Sequence, residues 1–215
     1  MAVTRLVLAR HGETTGESSV RYFGATDVLL SDAGRAQARA LAERLVAERP
    51  DRVLTSRLRR ARETGEIVAA RLGLTAVADG GFDEVDFGAW EGLTREEIAA
   101  KDPDLFRRWV ERDPLFAYPG GGTVVASFRE RVAAAVGRVL EGEEGRTVVV
   151  VTHAGVVRAA LGALFGFPGA GQGSAEVGLA SLHVIEAGAA RPPALVLAND
   201  SSHLGRIRVA PGDSG

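Results

Sequence analysis

No cysteine occurs among the 215 residues. Three kinds of chemistry fall away with it: a disulfide framework, a zinc site built on thiolates, and a cysteine nucleophile. Charge of one sign is not in surplus either. The chain carries 26 Lys and Arg against 28 Asp and Glu, a formal net charge of -2, so no global field draws nucleic acid or an anionic membrane. Long apolar runs are missing too. The first one, Leu6 to Ala9, is far too short for a secretory signal or a membrane span, and the cytoplasm is the expected location. Repeats, low-complexity blocks and interdomain linkers are absent. What remains is the balance of an ordinary globular protein, 46% hydrophobic and 25% charged. The length suits one large domain, read as 1–210, with a disordered tail at 211–215.

Strand and helix patterns alternate along most of the chain. Thr4 to Ala9 reads as a buried strand ending at Arg10-His11-Gly12. Ser31 can cap a helix running to about Glu48, with Ala38, Leu41, Ala42 and Leu45 on one face and Pro50 beyond its end. A second strand, Arg52 to Thr55, precedes a helix striped by Leu58, Ala61, Gly65, Val68, Ala69 and Leu72. The stretch from Asp79 to Gly122 is less regular; Asp102-Pro103 is a helix start within it, and Pro119 to Gly122 is a loop. Val125 to Val139 marks another helix. Arg146 to Thr152 is a β-branched strand ending at His153, followed by a helix over Ala154 to Phe165 and a glycine-rich loop from Gly166 to Gly178. Leu179 to Glu186 and Ala194 to Ala198 are later strands. This alternation predicts an α/β fold: a three-layer α/β/α domain with a mostly parallel central sheet.

Ligands of such sheets bind beyond the carboxyl ends of the strands. One predicted strand delivers Arg10 and His11 there, another delivers His153, and a third is followed by Arg57, Arg59, Arg60 and Arg62. Leu58 and Ala61 interrupt that basic run at helical spacing, which favours one inward arginine, Arg60, over a solvated basic face. Two imidazoles and several guanidinium forks on one rim suit an oxyanion such as phosphate. With no cysteine and no carboxylates grouped beside the histidines, a metal site is the weaker explanation.

These residues resemble those of the histidine phosphatase superfamily, the phosphoglycerate mutase-like proteins. Arg10-His11-Gly12-Glu13-Thr14 is similar to its signature. Ser56-Arg57-Leu58-Arg59-Arg60-Ala61 is similar to its second arginine motif, Glu84 to Gly92 to the segment holding its proton donor, and Thr152-His153-Ala154-Gly155 to its second-histidine motif. The four stand in the family's order and spacing. The resemblance implies a metal-independent phosphomonoester hydrolase with no cofactor. Its substrate would be a small phosphorylated metabolite. His11 would be the nucleophile and pass through phosphohistidine. Arg10, Arg60 and His153 would surround the phosphoryl oxygens, and Glu84 would serve as general acid and then base. The backbone of Ala154, together with Arg21, Phe23 and Glu17, is nominated for substrate binding; Glu17 stands where the family often has asparagine, and so either points away or meets a cationic part of the substrate. No nucleic-acid or membrane partner is implied, and a homodimer is left open.

Two rival readings share the motifs. One is a cofactor-dependent phosphoglycerate mutase. Against it, Val85, Asp86 and Phe87 stand where mutases typically carry arginine, histidine and tyrosine, and little chain separates Trp90 from Pro119 to build a cover; Arg107 and Arg108 could partly compensate. The other is an inactive member that only binds phosphorylated ligands. Trp90 reads as core and Glu91 as structural, and His183 and His203 as ordinary residues.

Overall fold

The computed structural model describes residues 2–113, 115–166, 175–188 and 191–205. Its centre is a six-stranded sheet of β1 (Thr4–Arg10), β2 (Arg52–Thr55), β3 (Ala76–Ala78), β4 (Thr147–Thr152), β5 (Leu182–Gly188) and β6 (Arg191–Asp200). They lie in the order β3-β2-β4-β1-β5-β6. The first four are mutually parallel, while β5 runs antiparallel to β1 and to β6. The sheet is thus mixed, with its parallel half carrying the three strands that the motifs follow. The β3 strand is an addition to the sequence reading; its three residues are too few to show a period.

The pleat divides the core in two. Leu6 and Leu8 of β1, with Val148 and Val150 of β4, face one layer; Val7, Ala9, Val149 and Val151 face the other. All eight are fully buried, each worth roughly 1.5–3 kcal/mol of transfer for the larger side chains. On one side pack α1 (Asp32–Leu45) and α2 (Arg59–Leu72). On the other pack α5 (Val125–Gly142) and α6 (Ala154–Phe165), with α3 (Arg95–Lys101), α4 (Pro103–Val110) and the residues around them. None of the described helices is long and apolar enough to cross a membrane.

The helix ends follow local chemistry. Ser31 caps α1 by accepting from Gly34 N–H, as its position predicts. Thr94 and Glu97 form a reciprocal capping box at α3. Asp102 does not cap α4 with its side chain; its carboxylate accepts instead from the Trp90 indole N–H at 2.7 Å. The Trp109 indole donates to the Tyr118 hydroxyl at 3.0 Å, and Trp90, Trp109, Phe116 and Tyr118 meet mostly edge to face. The irregular middle of the chain is thereby a packed aromatic layer over one end of the sheet. The tail at 211–215, and most of the glycine-rich loop, lie outside the described residues.

Candidate active site

β1, β4 and β2 are adjacent and parallel, with Arg10 level with Thr152 and Thr55 level with Val151. Residues just past their carboxyl ends therefore share one small volume: His11 after β1, Ser56 after β2 and His153 after β4. The His11 and His153 rings meet edge to face at 5.1 Å, and both side chains are buried. Gly12 must be glycine here, because a Cβ would lie 2.4 Å from the Gly34 carbonyl oxygen.

His11 Nδ1 lies 2.7 Å from the Gly12 carbonyl oxygen. A carbonyl only accepts, so Nδ1 carries the proton and Nε2 keeps its lone pair. Burial, then the charges of Arg60 and Arg10, push the His11 pKa well below the ordinary imidazole value. The ring is neutral and oriented, and it keeps the Nε2 lone pair.

Arg60 is fully buried in the first turn of α2. It donates to the carbonyls of Thr26, Phe23 and Gly24 at 2.8–2.9 Å. Those carbonyls belong to a loop that Glu91 ties down, accepting N–H groups of Gly24, Ala25, Thr26 and Phe87. Asp27 of the same loop accepts from Arg59 N–H at the start of α2. Arg10 donates to the carbonyls of Val177 and Ser18; burial and Arg158 lower its pKa to about 10. In both arginines Nε is buried without a hydrogen-bond partner among the described residues, and so is His153 Nδ1. Such atoms are costly unless something else meets them. The two unmet Nε–H groups are donors that a small oxyanion would satisfy, and the His153 nitrogen becomes one on binding a proton.

Glu84 projects into the same space. Its carboxylate accepts from Val85 N–H at 3.0 Å and from Gly155 N–H, in the first turn of α6, at 2.9 Å. Burial nonetheless raises its pKa. A Cβ at position 155 would lie 2.3 Å from Glu84 Oε1, so that glycine makes room for the acid. The segment carrying Glu84 is held from α5: Arg131 donates to the carbonyls of Gly80, Gly81 and Asp83 at 2.7–3.0 Å.

A cavity of about 270 Å³ opens from this cluster, with Arg10, His11, Glu84, Ala154 and Gly155 in its lining. Part of its wall is aromatic and apolar, Tyr22, Phe87, Trp109, Phe116 and Phe128 among it. Arg21 and Phe23 line it as well. Glu17 is not in the lining: it adopts a φ of 61°, a region that asparagine enters more readily, and pairs at 3.6 Å with Arg21. Arg107 and Arg108 also lie outside the lining, paired with Asp104 and Asp113. The residues between Trp90 and Pro119 supply much of the wall all the same, and the cation they contribute is Arg112. Arg112, Arg129 and Arg158 line the cavity and were not singled out from sequence. Arg158 stands one helical turn after Ala154, the single signal that pointed to it; the others face the cavity only because α4 and α5 pack where they do. Trp90 is fully buried, and His183 and His203 bond backbone carbonyls away from the cavity.

Comparison with known proteins identifies the family. The family described as histidine phosphatase superfamily (branch 1) matches residues 6–201. Three mycobacterial relatives are 42% identical over 152 residues, and the match covers 70% of this chain but only 41% of theirs. A glucosyl-3-phosphoglycerate phosphatase of Mycobacterium tuberculosis is 37% identical over 175 residues, 78% of each chain. Phosphoserine phosphatase 1 of Hydrogenobacter thermophilus is 35% identical over 164 residues, 76% of this chain and 77% of its own. Among solved structures, YhfR of Bacillus stearothermophilus superposes with a TM-score of 0.83 at 32% identity, over 94% of this chain and 99% of that one.

Proposed function

Because this chain belongs to the histidine phosphatase superfamily, we propose that it is a metal-independent phosphomonoester hydrolase that acts on a small phosphorylated metabolite through phospho-His11. The observation that carries the reading is the set of unmet buried groups, Arg10 Nε, Arg60 Nε and His153 Nδ1, gathered about a histidine whose Nε2 lone pair is free. Phosphoryl transfer is mostly positioning and charge stabilisation, and preorganised buried donors supply both. His11 Nε2 attacks phosphorus in line with the leaving oxygen. Glu84, whose raised pKa favours the carboxylic acid, gives its proton to the departing alkoxide. The resulting carboxylate then takes a proton from water as that water attacks phospho-His11, and phosphate leaves.

The rest of the substrate occupies the aromatic cavity. Arg129 and Arg158 at its wall favour an organic part that is itself anionic, and two relatives are named for phosphoserine and glucosyl-3-phosphoglycerate. The apolar side chains of Val85 and Phe87 beside Glu84 favour a hydrolase over a mutase, since a reorienting bisphosphate needs cations there.

Rapid acid-free quenching during turnover tests the reading. Labelled phosphate should be found on the protein, stable to alkali and labile to acid, and it should be absent from His11→Ala, which should not turn over. Dialysis against a chelator should leave the rate unchanged. A His11→Ala variant of near-native activity, or activity lost on chelation and restored by a divalent ion, overturns it.

A further inference from the structure

The second histidine raises a question of proton placement. His153 Nε2 lies 2.8 Å from Ser56 Oγ. The Ser56 hydroxyl has one proton to give, and Asp83 Oδ1 takes it at 2.9 Å. Ser56 Oγ also accepts from Leu58 N–H at 3.2 Å. Asp83 is ion-paired with Arg57, whose backbone N–H and guanidinium both donate to its carboxylate, so the carboxylate offers the hydroxyl only acceptors. With its proton committed to Asp83, Ser56 can only accept from His153. The imidazole proton must therefore sit on Nε2. The nitrogen left unmet, Nδ1, then carries a lone pair, which repels a phosphate oxygen unless a second proton is added.

We propose that Asp83 is a positioning residue that acts through Ser56 to hold the His153 proton on Nε2, so that phosphate binding and proton uptake at Nδ1 are a single event. In the free protein the ring is neutral: burial, then Arg60, His11, Arg10 and Arg131, hold its pKa well below the ordinary value. The groups facing it are His11 and Arg10 from β1, Arg60 from α2, Arg131 from α5, and Asp83 and Glu84 from the segment before the aromatic layer. Only the last two are acidic, and Glu84, whose burial favours the neutral form, is turned to Gly155 N–H. A phosphate dianion adds the negative charge that the ring needs to bind a proton. That proton comes from solvent, or from the ester when it arrives as a monoanion. It returns to solvent when phosphate departs, so no net proton is consumed. Asp83 stands beside Glu84 in sequence, and the same short segment thus sets one acid and one donor. The uptake half of this inference rests on the phosphate-binding reading of the site; the placement of the proton on Nε2 is a property of the free protein.

Proton–nitrogen correlation of the histidine rings tests both halves. The chain has four histidines, and substitution of His183 and His203, which lie away from the cavity, assigns the other pair. Free protein should show His153 protonated at Nε2 and bare at Nδ1. Saturation with inorganic phosphate at about pH 8 should protonate both nitrogens, with uptake of about one proton by calorimetry in two buffers. The phosphate Kd should then rise about tenfold per pH unit between about pH 7.5 and 9. In Asp83→Ala the hydroxyl loses its acceptor and can donate to Nε2. The Nδ1–H form should then appear in the free protein, and both the uptake and the pH slope should fall well below their wild-type values. An Nδ1–H tautomer in the free wild-type protein, or an unchanged tautomer in Asp83→Ala, overturns the relay. Phosphate binding with no proton uptake overturns the linkage. Absence of phosphate binding would instead sink the functional reading, with the tautomer still deciding the relay. Should Asp83→Ala not fold, the wild-type tautomer and uptake decide alone.

Discussion

Glu84 is pulled in two directions. Two backbone N–H groups favour its carboxylate, yet burial outweighs them and raises its pKa above the ordinary 4.5. A raised folded pKa means that the native state binds more protons than the unfolded chain between the two values. Stability from this residue is then full below about pH 4.5 and is lost as pH rises through the folded pKa. Glu84→Gln cannot ionise, so the stability of wild type relative to this variant should fall as pH rises through the folded pKa. The same variant should lose about 10²- to 10⁴-fold in kcat on alkyl phosphates, and much less on nitrophenyl phosphate, whose leaving group needs no proton. Calorimetry and paired kinetics check the two halves. Equal losses on both substrates would mark Glu84 as structural.

Helix α6 does more than follow the second histidine. Its first turn has N–H groups without intrahelical acceptors, and the one at Gly155 holds the Glu84 carboxylate. Alanine suits a helix better than glycine by up to about 1 kcal/mol. At this position, though, its Cβ would fall 2.3 Å from Glu84 Oε1, and the acid is the part that must move. Gly155→Ala should therefore keep or slightly raise stability while losing alkyl phosphatase activity as Glu84→Gln does, nitrophenyl phosphate again being spared. A variant that keeps full alkyl phosphatase activity would show that the acid functions from a different position. Helix α2 makes the matching point about Arg60. Its N-terminus lacks a side-chain cap of its own and is closed by Asp27, from the loop whose carbonyls grip Arg60.

Across the whole molecule, burial lowers the pKa of all four histidines: His11 and His153 past the ends of β1 and β4, His183 and His203 on the antiparallel side of the sheet. The unfolded chain titrates them near 6.5 and the folded protein below that. Their contribution is thus full above about pH 6.5 and is lost as pH falls toward the folded values, by at most about 1.4 kcal/mol per pH unit for each. Denaturant unfolding at about pH 7.5 and 5.5 should show a marked fall in stability at the lower pH, with proton uptake on unfolding. Equal stability at the two values would mean that the histidines are more open to water than their burial indicates.

Some of this was written in the order of the residues. The β-branched run into Thr152, the stripe of α2 and the Ser31 cap are local patterns, decided by neighbours a few positions away, and they place His11, Arg60 and His153 at element ends without knowledge of the fold. The motifs at those ends and around Glu84 carried the family. The rest depends on which distant parts of the chain meet. Nothing local distinguishes Arg131 from Arg138 on α5, yet one holds the Glu84 segment by three carbonyls and the other pairs with Asp79. Arg112 faces the cavity while Arg107 and Arg108 do not, because α4 leans on the aromatic layer through Trp109. Asp83 looks like one carboxylate among several until β2 and β4 bring Ser56 and His153 together. Sequence determined the strand ends and the chemistry standing on them, since those interactions span a few residues. Tertiary structure decided the proton positions, the cavity wall and the side chains that hold the acid in place, since each is a contact between elements far apart along the chain.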